Sequence, residues 1–184
     1  MIIKKTNQEI LAESLKELLE TKSFEKITIQ NITDNCQLTR ATFYRHFKDK
    51  YELMNWIYYH KIQSFLDENP DISSWKDLLN TVAYFLQENA SFFKKIINFK
   101  GQNSFEEFLF DYGSTYCINH ILNSTNKKCL SSKESTSITI YIGGTIKAFF
   151  DWIKRDCDIA PEEIAKTMSE CMPHPLTKYF KNDL

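Results

Sequence analysis

The sequence predicts an all-α protein, a small N-terminal three-helix domain containing a helix-turn-helix followed by a larger helical domain. Three observations carry that reading. Only four Gly and four Pro occur among 184 residues, and no stretch alternates apolar and polar residues for long, so β-hairpins have neither their turns nor their strands. Apolar residues recur at helical spacing behind repeated Ser/Thr/Asp-x-x-Glu/Asp starts. Between Thr28 and Lys50 two short helical segments are separated by only a few residues, the spacing of a helix-turn-helix. The length suits one substantial core, or a small domain joined to a larger one.

Taken in order, Thr6 to Glu9 forms a capping box, and Ile10, Leu11, Leu15, Leu18 and Leu19 predict an amphipathic helix to about Thr21. Thr28 caps a short second helix through about Asn35, with Ile32 facing the core. Cys36, Gln37 and Leu38 leave room only for a tight turn into a third helix capped by Thr39. At ~100° per residue, Phe43 and Phe47 fall on one side of that helix and Ala41, Thr42 and Arg45 on the other. The two rings anchor the helix, and Ala41 permits close approach to a partner. Arg45 and Thr42 are the residue types that read base edges in a major groove, whereas Tyr44, His46 and Lys50 suit phosphates. Residues 39–50 carry four basic side chains (Arg40, Arg45, Lys48, Lys50) and one acidic, a net +3. The whole chain is at −1, so all other residues together are at −4. Positive charge is concentrated where DNA would be met, and the chain as a whole is no general polyanion binder.

Asp49 to Glu52 is another capping box, opening a long helix to about Asp67 whose centre, Trp56, Ile57, Tyr58 and Tyr59, is apolar almost all round. Such a helix is expected to touch two bodies. The division is therefore placed at residues 1–48 for the helix-turn-helix DNA-binding domain and 49–184 for a second helical domain, to which the family resemblance described below assigns effector binding and dimerisation. The pattern breaks over Asn69 to Ser74, and the next helix runs from about Ser74 to Glu88. Helices near Ser91–Asn98 and Ser104–Asn123 flank a breaker at Lys100 to Asn103. Residues 124–132 read as a loop, followed by helices from Ser135 to about Asp156 and from Ala160 to before Pro173. Gly143 and Gly144 sit mid-helix, where each costs ~1 kcal/mol against alanine, and are expected to allow a kink or a close helix contact. Aromatics crowd residues 91–123. Core packing accounts for most of them, but a cavity of aromatics with a few polar groups is the usual form of a ligand site. The candidates for an effector site are Tyr84, Phe108, Tyr112, Tyr116 and His120.

The stretch from Phe24 to Asp34, followed by Leu38 to Leu53 with its Thr42-x-Tyr44-x-His46-Phe47-x-x-Lys50 spacing, resembles the N-terminal domain of TetR/AcrR-family transcriptional regulators. The resemblance covers about the first third of the chain. It implies an all-α homodimer on double-stranded DNA, with a variable C-terminal domain for a small-molecule effector or a protein co-regulator. It assigns phosphate contacts to Thr28 and Tyr44, base-facing positions to Thr42 and Arg45, and backbone contacts to His46 and Lys50. Thr39, Arg40 and Ala41 complete the expected DNA face. One departure is Gln37, where the family usually has glycine, so the turn is expected to be of a different type or strained. The last two long helices would form a four-helix dimer interface, for which Ile138, Ile142, Thr145, Phe149 and Trp152 are the candidates. Tyr141 to Gly144, Trp152 to Lys154 and Pro161 to Ile164 loosely resemble the branch that includes dihydroxyacetone-kinase-type regulators, some of them controlled by a protein co-activator.

The commoner role in such a family, and the expectation here, is repression; activation and control by a co-regulator protein are the alternatives. A helix-turn-helix used only for protein interaction is a further one, but it has no need of Arg45 with Tyr44, His46 and Lys50 on one face. An enzyme is not expected: His46, His60, His120 and His174 are scattered, and no H-E-x-x-H, P-loop or G-x-S-x-G occurs. Five cysteines without a C-x-x-C pair argue against a disulfide framework or a zinc site. No cofactor or metal is expected. With no signal-peptide pattern and no apolar run of ~18 residues, a cytoplasmic location away from membranes is expected.

Overall fold

A computed structural model describes residues 5–68, 74–97, 104–125 and 127–180, and every regular element among them is helical. Helix α1 (Asn7–Thr21) starts at the expected capping box: Thr6 Oγ1 accepts from the Glu9 amide at 3.3 Å, and the Glu9 carboxylate accepts from the Thr6 amide at 2.7 Å. A 3-10 turn (Phe24–Lys26) leads to α2 (Ile29–Asn35), whose cap Thr28 and third residue Asn31 exchange the same pair of bonds, each 3.1 Å. Helix α3 (Arg40–His46) is capped by Thr39, which accepts from the Thr42 amide at 3.1 Å. Between α2 and α3 the backbone at Gln37 has φ 56°. The turn therefore keeps the left-handed conformation that favours glycine, and Gln37 occupies it at a strain of about 1–2 kcal/mol. Leu11, Leu15, Ile32, Phe43 and Phe47 close the small core. The buried Ser14 hydroxyl, donating to the Ile32 carbonyl at 2.7 Å, ties α1 to α2.

Helix α4 (Lys50–Glu68) begins on the Asp49 carboxylate, which accepts from the amides of Tyr51 and Glu52 at 2.9 Å each, while the Glu52 carboxylate reaches back to the Lys48 amide. It touches both bodies, as its apolar centre predicts. Trp56 packs edge-on against Phe47, and Tyr58 lies among Phe92, Phe105 and Phe108. Tyr59 is the exception. It is 46% exposed, so the helix is open to solvent on that side. Through Leu53, Met54, Ile57, Tyr58 and Ile62 the buried side chains make one cluster from Leu11 to Phe180.

The C-terminal part comprises α5 (Trp75–Glu88), α6 (Ala90–Lys94), α7 (Phe105–Thr125), α8 (Ser132–Lys154), α9 (Pro161–Glu170) and a short α10 (His174–Thr177). Helix α5 packs chiefly on α9, and α7 on α8. Several expected boundaries shift. Helix α8 starts three residues before Ser135 because Ser131 and Glu134 form a capping box, and it stops at Lys154 because Asp156 and Cys157 both take positive φ, 59° and 54°. Helix α6 is shorter than expected, and α10 was not foreseen. The breaks at Asn69 to Ser73 and at Lys100 to Asn103, and the end at Asn98, lie outside the described residues. The close helix approach is also not where the paired glycines suggest. A Cβ at Gly144 would meet nothing within 4 Å, whereas one at Gly113 of α7 would come within 3.3 Å of Ile142 on α8.

One carboxylate ties the segment after α10 to the start of α8. Glu134, buried at the start of α8, accepts from Lys127 Nζ at 2.7 Å, from the Ser131 amide at 2.9 Å and from the Tyr179 hydroxyl. The Lys127 hydrogen bond, followed by those of Tyr179 and Ser131, holds its carboxyl well below the usual range. Beside it Phe180 is buried, stacked on His120 with centroids 4.5 Å apart and packed on Trp75 at 5.4 Å.

Candidate nucleic-acid interface and effector cleft

Phe43, fully buried, and Phe47 turn the opposite side of α3 to solvent. Arg40, Ala41, Tyr44 and Arg45 are exposed there, with Thr42 half-exposed; Thr28 and Thr39 are exposed at the helix starts. Tyr44 is 50% exposed although aromatic, with the Arg40 guanidinium 5.9 Å from its ring centre. The Thr39 and Thr42 hydroxyls are 2.9 Å apart, so one is donor to the other until a partner intervenes. This surface can reach a groove and its flanking phosphates together, because two amide-rich helix starts and a cation sit beside the outward side chains.

Two of the expected contacts stand differently. Lys50 turns inward: its ammonium donates to the carbonyls of Phe24 at 2.8 Å, Glu25 at 3.1 Å and Ile27 at 2.8 Å, and lies 4.8 Å from the centre of the Phe24 ring. Three donors meet three acceptors, so no N–H is left to reach a phosphate while this arrangement holds. Burial moves the Lys50 pKa down. The geometry makes Lys50 a strut from the first turn of α4 to the 3-10 turn ahead of Thr28, in place of the expected backbone contact. His46 is half-buried, and its Nε2 is shielded from solvent with no hydrogen-bond partner. That nitrogen faces protein. The signal for both corrections was available only in part: the sequence places Lys50 at a helix start but says nothing of the carbonyls that the preceding turn aims at it.

The effector candidates separate into two groups. Tyr112 and Tyr116 of α7 both line a narrow apolar cleft between α5, α7 and α8, and with Phe108 they also line an open groove on the outer side of α7. The Tyr112 hydroxyl accepts from Gln63 of α4 at 3.1 Å, a link between cleft wall and long helix that the sequence reading missed. Tyr84 and His120 do not join them. Tyr84 faces α9, where its hydroxyl donates to the Glu162 carboxylate. His120 is set between Tyr116 and Phe180, its Nε2 3.0 Å from the Tyr179 carbonyl.

The dimer candidates require a correction. Ile138, Ile142, Phe149 and Trp152 are each at most 4% exposed and belong to the chain's own core, so they are not available to a second copy. They are the inward side of α8. Its outward side is Ile140, 67% exposed, with Gly144 and Ala148 at successive four-residue steps, beside Thr167 and Cys171 of α9 around a shallow depression. Thr145 lies at the edge, lining both this depression and the inner cleft.

Among the described residues no helix is long and apolar enough to cross a membrane. The fold is shared with solved structures. One described as the dihydroxyacetone kinase operon activator DhaS has a TM-score of 0.61 and 21% identity, with 96% of this chain and 97% of that one covered. The fatty acid degradation regulator FadR from Bacillus halodurans has a TM-score of 0.58 and 12% identity over 92% and 96%. A curated relative, the HTH-type dhaKLM operon transcriptional activator DhaS of Lactococcus lactis subsp. lactis (strain IL1403), is 30% identical over 101 residues, 55% of this chain. The matched region spans about half of that relative, 53% of its length. Residues 11–56 match the family model for bacterial regulatory proteins of the tetR family, and residues 73–174 that for a transcriptional regulator C-terminal region. The chain belongs to the TetR family and is a transcriptional regulator.

Proposed function

We propose that this regulator binds a near-palindromic operator as a homodimer, reads bases with Thr42 and Arg45, and is controlled by a small-molecule effector held at Tyr112 and Tyr116. The observation that carries the reading is the outward side of α3. Two buried rings fix the helix, and exposed Arg40, Tyr44 and Arg45 share the free face with half-exposed Thr42. Thr28, Thr39 and Arg40 are placed for phosphates, and Ala41 for close approach. One such module makes too few contacts for a specific site, and twofold symmetry doubles them. The exposed side of α8 and α9 around Ile140, Gly144 and Ala148 is the surface on which a second copy fits, since its small residues allow helix axes to come close. The functional boundary falls in α4, whose first turn holds the DNA-binding part through Lys50 and whose later part meets the cleft wall through Gln63. A tilt of α4 in a dimer changes the spacing of the two α3 helices, which must be near one DNA turn, ~34–36 Å.

Repression, by occupying the operator, is the first sense of regulation. Activation is the second, supported by the role of the Lactococcus lactis relative, an operon transcriptional activator. The test is binding of the purified protein to fluorescent fragments from its own upstream region, with in vitro transcription on the fragment bound. Arg45→Ala is expected to cost ~1–3 kcal/mol per half-site and to relax base preference. Uniform loss across all sequences, or a one-to-one complex of protomer and DNA, would refute the reading. A fall in transcript on adding protein favours repression, a rise activation.

A further inference from the structure

The inner cleft and outer groove share a wall made of two tyrosines. The outer groove, about 400 Å³, runs along α7 over Phe108, Asp111, Thr115 and Asn119. The inner cleft, about 90 Å³, is lined by side chains such as Trp75, Leu79, Val82, Ile142 and Phe149. Tyr112 and Tyr116, one helical turn apart, line both. Alone, the inner cleft is smaller than ligand pockets of ~300–1,000 Å³; joined to the groove it falls inside that range.

The chemistry of the lining is selective. Among the described residues no charged side chain lines the inner cleft, and the polar groups there are the hydroxyls of Tyr112, Tyr116 and Thr145 and the Trp75 indole, which already donates to the Tyr141 hydroxyl at 2.9 Å. Among the described residues of the outer groove the charged one is the acid Asp111. A carboxylate or phosphate left in this groove would meet, among the described residues, an acid and no cation, and like charges repel. A small polyol would bring more hydroxyls than the inner cleft can satisfy, and each unpaired one costs free energy.

We propose that the two chambers form one site for a neutral amphipathic molecule, its apolar body inserted between Tyr112 and Tyr116 and its uncharged polar end left beside Asp111, Thr115 and Asn119. This rests on the reading of the region as an effector site and supplies the ligand class. It also supplies the route. A body passing between the tyrosines displaces Tyr112, and the hydrogen bond from Gln63 of α4 is lost or remade on the ligand. Fatty-acid-like anions and small polyols fall outside the class.

The experiment uses the full chain and two fluorophores with the same ring system, neutral N-phenyl-1-naphthylamine and its sulfonate analogue 1-anilinonaphthalene-8-sulfonate, with glycerol as competitor. The neutral probe is expected to bind saturably and about fivefold more tightly than the sulfonate, the cost of setting a like charge beside Asp111. Glycerol should not compete. Val82→Phe, which fills the inner cleft, should abolish saturable binding. Asp111→Asn, an exposed and conservative change, should narrow the gap between the neutral probe and the sulfonate. Equal or tighter binding of the sulfonate, competition by glycerol, or an unchanged gap in Asp111→Asn overturns the proposal. Operator affinity with and without the neutral probe separates the two readings. Selective probe binding with no change in operator affinity refutes effector control and supports the ligand class; an operator response to the sulfonate alone refutes the class and supports effector control.

Discussion

The DNA-binding end and the C-terminal body use aromatic side chains in opposite ways. In α3 two phenylalanines are buried so that the rest of a seven-residue helix is free to carry Arg40, Thr42, Tyr44 and Arg45 outward. In α5, α7 and α8 aromatics share the walls of a cleft with aliphatic side chains, and the proposed effector site is the space between them. A surface site can be read from residue types on a helical face, because each outward side chain acts on its own partner. A cavity site depends on which walls meet, and that is set by packing between distant segments. Helix α4 belongs to both, with Lys50 and Trp56 at one end and Tyr58 and Gln63 at the other.

Removing the anchor of the surface site tests the contrast most severely. Phe43→Ala should destabilise the protein by about 3–5 kcal/mol, the usual cost of emptying a fully buried phenylalanine position. Because the core is one cluster through α4, denaturant unfolding of wild type should be a single transition when followed by tryptophan fluorescence and by helical circular dichroism. Two separated transitions, with only the first moved by the substitution, would mean that the two ends are energetically independent.

Lys50→Met sharpens the comparison next. The variant keeps the apolar stem but leaves three carbonyls without the ammonium, and should cost about 1.5–3 kcal/mol of stability. Operator binding should weaken, but the slope of log affinity against log salt should stay at the wild-type value, since a residue that releases no counterion does not contribute to it. A slope reduced by ~1 would return Lys50 to the phosphates.

The smallest effect is at the turn. Gln37→Gly should stabilise by about 0.5–1 kcal/mol, the relief of left-handed strain less the extra entropy glycine loses on folding. Operator affinity should hardly change, as Gln37 supports α3 without lying on it. A destabilised Gln37→Gly would show that the glutamine side chain contributes more than its backbone costs.

What the sequence determined by itself is largely local. The caps at Thr6, Thr28, Thr39 and Ser74, the buried Phe43 and Phe47, and the outward Thr42 and Arg45 follow from hydrogen bonds and helical angles spanning three or four residues. The family motif is legible for the same reason, being confined to one continuous stretch. Only the tertiary structure decided which side of α8 is inward. Its apolar surface is wide enough that periodicity alone does not say whether Ile138, Ile142, Phe149 and Trp152 or Ile140, Gly144 and Ala148 meet the rest of the chain. The packing of α7 on α8, with Gly113 against Ile142, settles it. The same holds for Lys50, Tyr112 and Gln63. Their partners are 23 to 49 residues away, and a hydrogen bond across that separation exists only once folding has brought the backbones together.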